Sequence, residues 1–424
     1  MSGESLTSSQ MKTKFITPLP WTPARDRKTQ RVTPKRMREV NSEELLRLLR
    51  AHAPCSRADL VRHSGMTAPT VSAAISELQR RGLIKFLGDG VSNGGRPPAL
   101  LEFNAEAGYV VGVDIGGSTI RLALADLAGK MLQRSNVPLK ANRTPEYITD
   151  VIAAGVAEMT GRLGSAAKKV LAIGAGAPGI TDAKSGIVLS APNLSKWDNV
   201  PLREMLREKT RIPATIENDV NLAALGESFC GVAKGYADFV FLAVGTGVGA
   251  GIVVNGRLHH GADWSAGEIG YMLIPELSDA PLAMNRLGAL ESAIGGTAIE
   301  HQWKKMMGAA HAANCSEIFR KASEGNKKAQ ALLKQTARHL AAAITNLSLI
   351  LDTSLVVLGG GVGSNPALLD ATTRLISQNQ FARPKLVASS LGVEAQLHGA
   401  VHLALQLAEA QGFHKQQAKA QSGY

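Results

Sequence analysis

Three glycine-rich turns, each directly after a run of aliphatic residues, constrain this 424-residue chain more than any other feature. They are DIGGST (residues 114–119), GTGVGAG (245–251) and the triple glycine of SLVVLGGGV (354–362). Adjacent glycines let backbone N–H groups approach a phosphate without Cβ obstruction, and Ser118 and Thr119 add hydroxyl donors. Asp114, at a strand end, is positioned to hold Mg²⁺ directly or through water. GTGVGAG is not a dinucleotide fingerprint, because it lies between two strand-like runs and leads into no helix. Gly359, Gly360 and Gly361 suit close approach by a flat base or ribose. DIGGST alone reads equally as a glycine hairpin with a helpful Asp; three phosphate-compatible turns in this order are far more specific.

The runs around these turns define a mixed α/β body. From Tyr109, YVVGVDIGGS, TIRLALADL and KMLQRSNVPL read as strands of an antiparallel meander. A helix follows at about 145–163, then the buried strand VLAIGAGAP, a strand at GIVLS, and PATIEND running into the helix VNLAALGESF. Helices dominate after the second glycine turn until SLVVLGGGV, and a last apolar helix lies near 397–410. A body of about 300 residues is too large for one core and implies two lobes. The paired turns DIGGST and GTGVGAG hint at a duplicated fold.

Charge separates this body from what precedes it. Residues 1–100 carry 17 Lys and Arg against 8 Asp and Glu, which leaves 30 against 27 for residues 101–424. A basic head on a nearly neutral body suggests a polyanion-binding module on a separate core, with a solvated basic tail as the bland alternative. Residues 1–39 are polar with scattered prolines and read as disordered, as does the tail 411–424. Ser42 is expected to cap a helix carrying Leu45, Leu46, Leu48 and Leu49. Ser56 caps a second helix that stops at Gly65, and Thr67 opens a third with Pro69 in its first turn. Two strand-like runs around GDGVSNGGRPP complete a winged helix-turn-helix over residues 40–104.

Such a head places helix 67–81 in a DNA major groove. Val71, Ile75 and Leu78 point inward, leaving Thr67, Ala68, Thr70, Ser72 and Ser76 to face bases. Arg80 and Arg81, with Arg62, Lys35, Arg36 and Arg38, would pair with phosphates. Arg96, in the wing, would enter a narrow minor groove. The competing reading is a helical subdomain that binds another protein.

The remaining composition excludes several classes. Hydrophobic residues make up 45% of the chain, so it is no disordered protein. No apolar run reaches the roughly 18 residues needed to span a bilayer, and the N-terminus has no apolar h-region. Three scattered cysteines form neither a disulfide framework nor a CxxC pair, which points to a reducing cytoplasm.

The segment ENDVN puts Glu217, Asn218 and Asp219 at a strand-to-helix junction. Asp219 can accept a proton from a sugar hydroxyl while Asn218 fixes its neighbours; taken in isolation, the favoured reading is that either residue caps the helix. Glu268 and Glu291 add acceptors suited to vicinal hydroxyls.

DIGGST, GAGAPG, APNLSKW, ENDVNLAALGE, GTGVGAG, NGRLHHGADWSAGEIGY and VVLGGGV, in this order, resemble the ROK family of repressors and sugar kinases over about residues 105–410. The head ending in GGRPP resembles the regulator branch, such as xylose and N-acetylglucosamine repressors. The resemblance implies an actin-like, two-lobed sugar kinase fold: a small lobe at 105–218 completed by a C-terminal helix at about 393–410, and a large lobe at 219–392. It implies Asp219 as general base and Asn193, Asn218, Glu268, Tyr271 and Glu291 around a sugar. It also implies phosphate cradles at Asp114, Gly116, Gly117, Ser118 and Thr119 and at Gly245, Thr246 and Gly247, with Gly359, Gly360 and Gly361 at the nucleotide. Two departures follow. The usual GExGH becomes GEIGY, so Tyr271 replaces a histidine that both touches sugar and ligates zinc. The expected CxCGxxGC run has lost every cysteine, with Leu282, Met284 and Ala289 expected to pack together instead, so no zinc is expected.

These observations favour a sugar-responsive DNA-binding repressor, a dimer or tetramer whose partners are operator DNA and a sugar or sugar phosphate. The alternative is an ATP-dependent sugar kinase with MgATP as cofactor. A third reading, a binding module without DNA, must explain the basic head.

Overall fold

In the computed structural model of the chain, the described residues are 34–89, 97–140, 143–191, 194, 196–273 and 288–413. The chain divides into two compact units between Phe103 and Asn104.

The first unit contains α1 (Pro34–His52), β1 (Cys55–Ser56), α2 (Arg57–Ser64), α3 (Ala68–Arg80), β2 (Ile84–Asp89) and β3 (Ala99–Phe103). Leu45, Leu49, Leu60, Val71, Ile75, Leu78 and Leu101 are fully buried and form its core. β3 pairs antiparallel with β1 on one side and β2 on the other. Ser56 caps α2 in a capping box with Asp59: the Asp59 N–H donates to Ser56 Oγ at 3.2 Å and the Ser56 N–H to Asp59 Oδ2 at 2.8 Å. Gly65 then ends α2 in the left-handed conformation, at φ 68°. Thr67 caps α3, with proline in the first turn. One expectation is corrected. Ser42 does not begin a helix; α1 starts at Pro34, and Ser42 lies inside it, 2% exposed. The segment from Lys35 to Asn41 contains neither Gly nor Pro, and Pro34 is pre-organised for a helix start. The arm expected to be disordered to residue 39 is therefore helical from 34; its earlier residues lie outside those described.

The second unit is built on two five-stranded sheets of identical topology. The first contains β4 (Tyr109–Ile115), β5 (Thr119–Asp126) and β6 (Met131–Pro138), followed by α4 (Pro145–Gly161) and β7 (Val170–Ala177). A small antiparallel sheet of β8 (Ile180–Asp182), β9 (Ile187–Ser190) and β10 (Asp198–Val200) intervenes, then α5 (Leu202–Thr210), β11 (Ala214–Asn218) and α6 (Asp219–Cys230). The second sheet contains β12 (Phe239–Val244), β13 (Val248–Val254) and β14 (Arg257–Leu258). After it come α7 (Ala289–Ile294), α8 (Gly296–Met307), α9 (Cys315–Ser323), α10 (Lys327–Leu351), β15 (Leu355–Gly359), α11 (Gly360–Gly363), α12 (Pro366–Ile376), β16 (Lys385–Ala388) and α13 (Ala395–Ala410).

The strand orders are β11-β7-β4-β5-β6 and β14-β13-β12-β15-β16. In each, three sequential strands form an antiparallel meander and two later strands add in parallel beside the first. Each of the two first glycine turns joins the first strand of its meander to the second. This is the duplication hinted at by the sequence. One core lies under α4 and α5, with Val111, Leu122, Ile152 and Trp197; the other lies under α7, α8 and α10, with Val240, Leu290, Trp303 and Ile344.

Two helices, α6 and α13, join the sheets, and glycines permit their approach. A Cβ on Gly399 of α13 would lie 1.8 Å from the Leu222 carbonyl oxygen, and one on Gly226 of α6 would lie 2.2 Å from that of Ala395. Gly174 of β7 meets the Ala400 carbonyl as closely. On the other side, Gly251 of β13 lets α6 sit at Ala224. Gly251, the last glycine of GTGVGAG, thus serves helix packing.

Candidate functional site

In the head, α3 keeps Val71, Ala74, Ile75 and Leu78 buried. Thr67, Ala68, Ser72, Ser76 and Arg80 are exposed, and Thr70 is half-buried. Thr67 accepts the Thr70 N–H and lies 2.9 Å, hydroxyl to hydroxyl, from Thr70, so the cap sits at the reading end of the helix. The two arginines at the other end differ. Arg80 is exposed and forks onto Glu77 at 3.0 and 2.7 Å, whereas Arg81 is half-buried within reach of Glu77, Glu43 and Glu39, and burial lowers its pKa. Arg81 is therefore less available to a phosphate than the sequence suggests. Arg62 is exposed beside Asp59. Arg96 lies outside the described residues, as do the side chains of Lys35 and Arg36.

In the body, a cleft of about 750 Å³ is lined by β11, α6, the 245–249 turn, Glu268 and Tyr271 at a short helical turn, Glu291 of α7, and the start of α11. It gathers Asn218, Asp219, Glu268, Tyr271, Glu291, Gly245, Thr246, Gly247, Gly360 and Gly361. These are residues that the sequence had scattered over almost 150 positions. Asn193 lies outside the described residues.

The β11–α6 junction shows which of the two residues caps the helix. Asn218 is the N-cap: its Oδ1 accepts the N–H groups of Val220 at 2.9 Å and Asn221 at 3.0 Å, while Nδ2 donates to the Gly179 carbonyl at 2.9 Å. Asp219, at the first helical position, is left facing the cleft. Burial raises its carboxyl to about 7, and the charges of Asp114 and Glu268 push the same way. A carboxyl in that range accepts or returns a proton near neutral pH. Burial also raises Glu268, helped by Glu291, and raises the Tyr271 phenol next to both.

Glu291 has a structural task as well. Its Oε2 accepts the Val248 N–H at 2.9 Å and so holds the 245–248 turn from α7. Glycine roles divide here. A Cβ on Gly359 would strike the Phe241 ring at 2.2 Å, and Gly360 adopts φ +79° beside the Val244 carbonyl, so both are required by the chain itself. Gly245 and Gly361 would meet nothing within 4 Å and have no positive φ. Their bare backbone lines the cleft and leaves room there for close approach by a ligand. The third turn also differs from the expected open loop, because Gly360–Gly363 forms one helical turn.

The DIGGST turn departs furthest from expectation. Gly116 closes a hairpin by donating to the Thr119 carbonyl at 3.0 Å, and the residues 116–119 do not line the cleft. Asp114 is 2% exposed. Its carboxylate is taken by Arg121, whose Nε lies 2.7 Å and Nη2 2.6 Å from Oδ2. The carboxylate suited to Mg²⁺ by sequence thus makes an ion pair with Arg121 through Oδ2. Burial raises the Asp114 carboxyl, against the pull of Arg121. The sequence reading missed Arg121, although its spacing of seven from Asp114 across a tight hairpin places the two opposite each other.

A second missed pair supports the junction from behind. Glu217, buried, accepts the Asn218 N–H at 2.9 Å and the Asn221 amide at 3.0 Å through Oε1. Its Oε2 lies 2.7 Å from His260 Nε2, and that hydrogen bond raises the histidine pKa.

Comparison with known proteins follows these two units. The family model described as ROK family matches residues 110–407, and that described as winged helix-turn-helix DNA-binding matches residues 39–85. The xylose repressor of Caldicellulosiruptor bescii is 28% identical over 385 residues, covering 87% of this chain and 96% of the relative. A crystal structure of a ROK family transcriptional regulator, described as a homologue of the E. coli MLC protein, aligns with TM-score 0.75 at 22% identity, over 87% of this chain and 96% of that one. The ROK hexokinase of Thermus thermophilus aligns with TM-score 0.59 at 32% identity, over 71% of this chain and 99% of its own. The hexokinase match covers less of this chain than does the regulator match.

Proposed function

This chain belongs to the ROK family, and from that premise we propose that it is a sugar-responsive, DNA-binding transcriptional repressor. One observation carries the reading. A winged helix with an exposed, hydroxyl-rich face on α3 shares a chain with a sugar-kinase-type cleft. Thr67, Ala68, Thr70, Ser72 and Ser76 read base edges in a major groove, and Arg80 and Arg62 pair with phosphates. In the cleft, the Asp219 carboxylate accepts a sugar hydroxyl, and Glu268, Tyr271 and Glu291 take its neighbours.

The effector is a sugar or sugar phosphate of the kind named for the relatives, xylose foremost. It releases DNA to the extent that it binds one arrangement of paired heads better than the other. That mechanism requires an even-numbered oligomer with half-sites about 34 Å or a multiple apart. The protein works in the cytoplasm and carries no zinc, because Tyr271 and the cysteine-free run 282–289 replace the expected ligands. Metal analysis finding one zinc per chain would overturn that last point.

The test of the reading is DNA binding by the full chain against a chain lacking residues 1–103. A duplex selected from a random pool by the full chain is the probe. Loss of binding on truncation is expected; equal affinity would refute the repressor. Among the described residues, no helix is long and apolar enough to cross a membrane.

A further inference from the structure

Behind the Asp219 junction, one hydrogen bond crosses from the first five-stranded sheet to the loop that follows the second meander. Its carboxylate is Glu217 of β11, 2% exposed. Oε1 is occupied locally, by the Asn218 N–H at 2.9 Å and the Asn221 amide at 3.0 Å. Oε2 lies 2.7 Å from His260 Nε2, and among the described residues no other cation comes within ion-pair distance of this carboxylate. A buried carboxylate needs partners, and a group on α6 or β11 would have met that need. The partner present instead comes from 43 residues further along the chain.

His260 lies just past β14, where the His259 N–H donates to the Ile252 carbonyl of β13 at 2.8 Å. Its own carbonyl accepts the Ala266 N–H at 3.2 Å, which closes residues 260–266 into a loop. Within that loop Trp264 holds φ at 62°, a left-handed conformation that a bulky residue keeps only where its surroundings enforce it. Its ring centroid lies 4.9 Å from that of His260. Directly beyond, the Gly267 carbonyl accepts the Ala250 N–H at 2.8 Å, and Glu268 and Tyr271 enter the cleft. Glu217, His260 and Trp264 do not line the cleft themselves, so their effect on a ligand passes through the residues they hold. We infer that His260 is a positioning residue for the effector site: through Glu217 it ties the loop presenting Glu268 to the junction presenting Asp219, and so sets the spacing of the two carboxyl groups that receive sugar hydroxyls. A spacing fixed before the ligand arrives removes part of the ordering cost of binding.

That role rests on the sugar-binding reading of the cleft and is independent of DNA binding. The test varies reach at constant chemistry. Glutamine places its amide nitrogen close to where the imidazole Nε2 sits, whereas the amide of asparagine, one methylene shorter, stops short of Glu217. Titration calorimetry on the full-length native chain with xylose, glucose, N-acetylglucosamine and their phosphates picks out the tightest sugar, which is then titrated into each variant. His260→Gln should bind it within about threefold of native and His260→Asn at least about tenfold more weakly, both with native circular dichroism. Glu217→Gln still accepts from Asn218 and Asn221 and donates to a neutral imidazole, so it should also stay within about threefold. Native affinity in His260→Asn would overturn the role, because a purely structural contact lowers the unfolding temperature without moving the affinity of the folded protein. Equal losses in His260→Gln and His260→Asn would overturn it as well, since reach to Glu217 would then not matter. A loss of about tenfold in Glu217→Gln would do so even where His260→Asn does not fold. A native chain that binds none of these sugars would sink the effector reading and this role with it, whereas failure in the variants alone leaves that reading standing.

Discussion

Asp219 gives a quantitative handle on the cleft. Its carboxyl is raised from the ordinary value of 3.8 to about 7, by burial first and then by Asp114 and Glu268. A raised folded value means that the native state holds the proton more tightly than the unfolded chain does. The resulting stabilisation is fully present below about pH 4 and is lost as pH rises to about 7. Above that, native protein bears an ionised buried carboxylate at a penalty on the order of 4 kcal/mol. Asp219→Asn removes the titration while keeping shape. It also removes a negative charge at the start of α6, which forfeits roughly 0.5 kcal/mol of helix-dipole interaction. The burial effect is the larger. The variant should therefore be more stable than the native chain by about 2–4 kcal/mol near pH 8.5, by roughly 1 near pH 5, and by almost nothing near pH 4. Thermal unfolding of both proteins across that range is the assay, and a gain of roughly 5 °C or more at the alkaline end is expected. A difference independent of pH, or a less stable variant at about pH 8.5, would refute the reasoning.

The other predictions address separate parts of the molecule. Gly399→Ala should destabilise the body by about 1–3 kcal/mol or more in urea titration, because backbone at Leu222 blocks the new methyl and outweighs the ~1 kcal/mol gain in helix propensity. Ser56→Ala removes the capping box of α2 and should cost the head about 1 kcal/mol, seen as earlier loss of DNA binding on heating. Arg80→Ala should weaken binding to every duplex about equally and reduce the slope of log affinity against log salt by about 1, whereas Ser72→Ala should alter sequence preference with that slope unchanged. Sugar affinity should rise between about pH 6 and 8 as Asp219 ionises, and titration calorimetry on Asp219→Asn should lose that dependence.

Much of this was legible in the chain. The runs around DIGGST announced a meander and those around GTGVGAG a strand-turn-strand, because strand pairing and tight turns are local. Ser56, Gly65 and Thr67 marked helix ends by chemistry confined to three or four residues. Ser42 misled because a cap preference is weak against an uninterrupted helix-forming run from Pro34. The site was legible as a list of residues but not as roles. Asn218 and Asp219 carry similar cap preference, and only their positions separate the cap from the cleft carboxyl. Gly359 and Gly251 looked like ligand glycines and proved to be packing glycines, since what a Cβ would strike lies on distant elements such as Phe241 and Ala224. Arg121 was missed for a different reason: its spacing of seven from Asp114 acquires meaning only when the hairpin register is worked through. Its contact with the Val393 carbonyl spans 272 residues, beyond the reach of any local pattern.

The central claim is that one chain couples a sugar in the body to DNA on the head. Fluorescence anisotropy of a selected duplex bound to the full-length protein tests it most directly, with xylose, glucose, N-acetylglucosamine and their phosphates added in turn. At least one of these sugars should weaken DNA binding tenfold or more in the native chain, while Asp219→Ala should bind DNA normally and ignore that sugar. DNA affinity unmoved by every sugar, or a response that survives Asp219→Ala unchanged, would contradict the account.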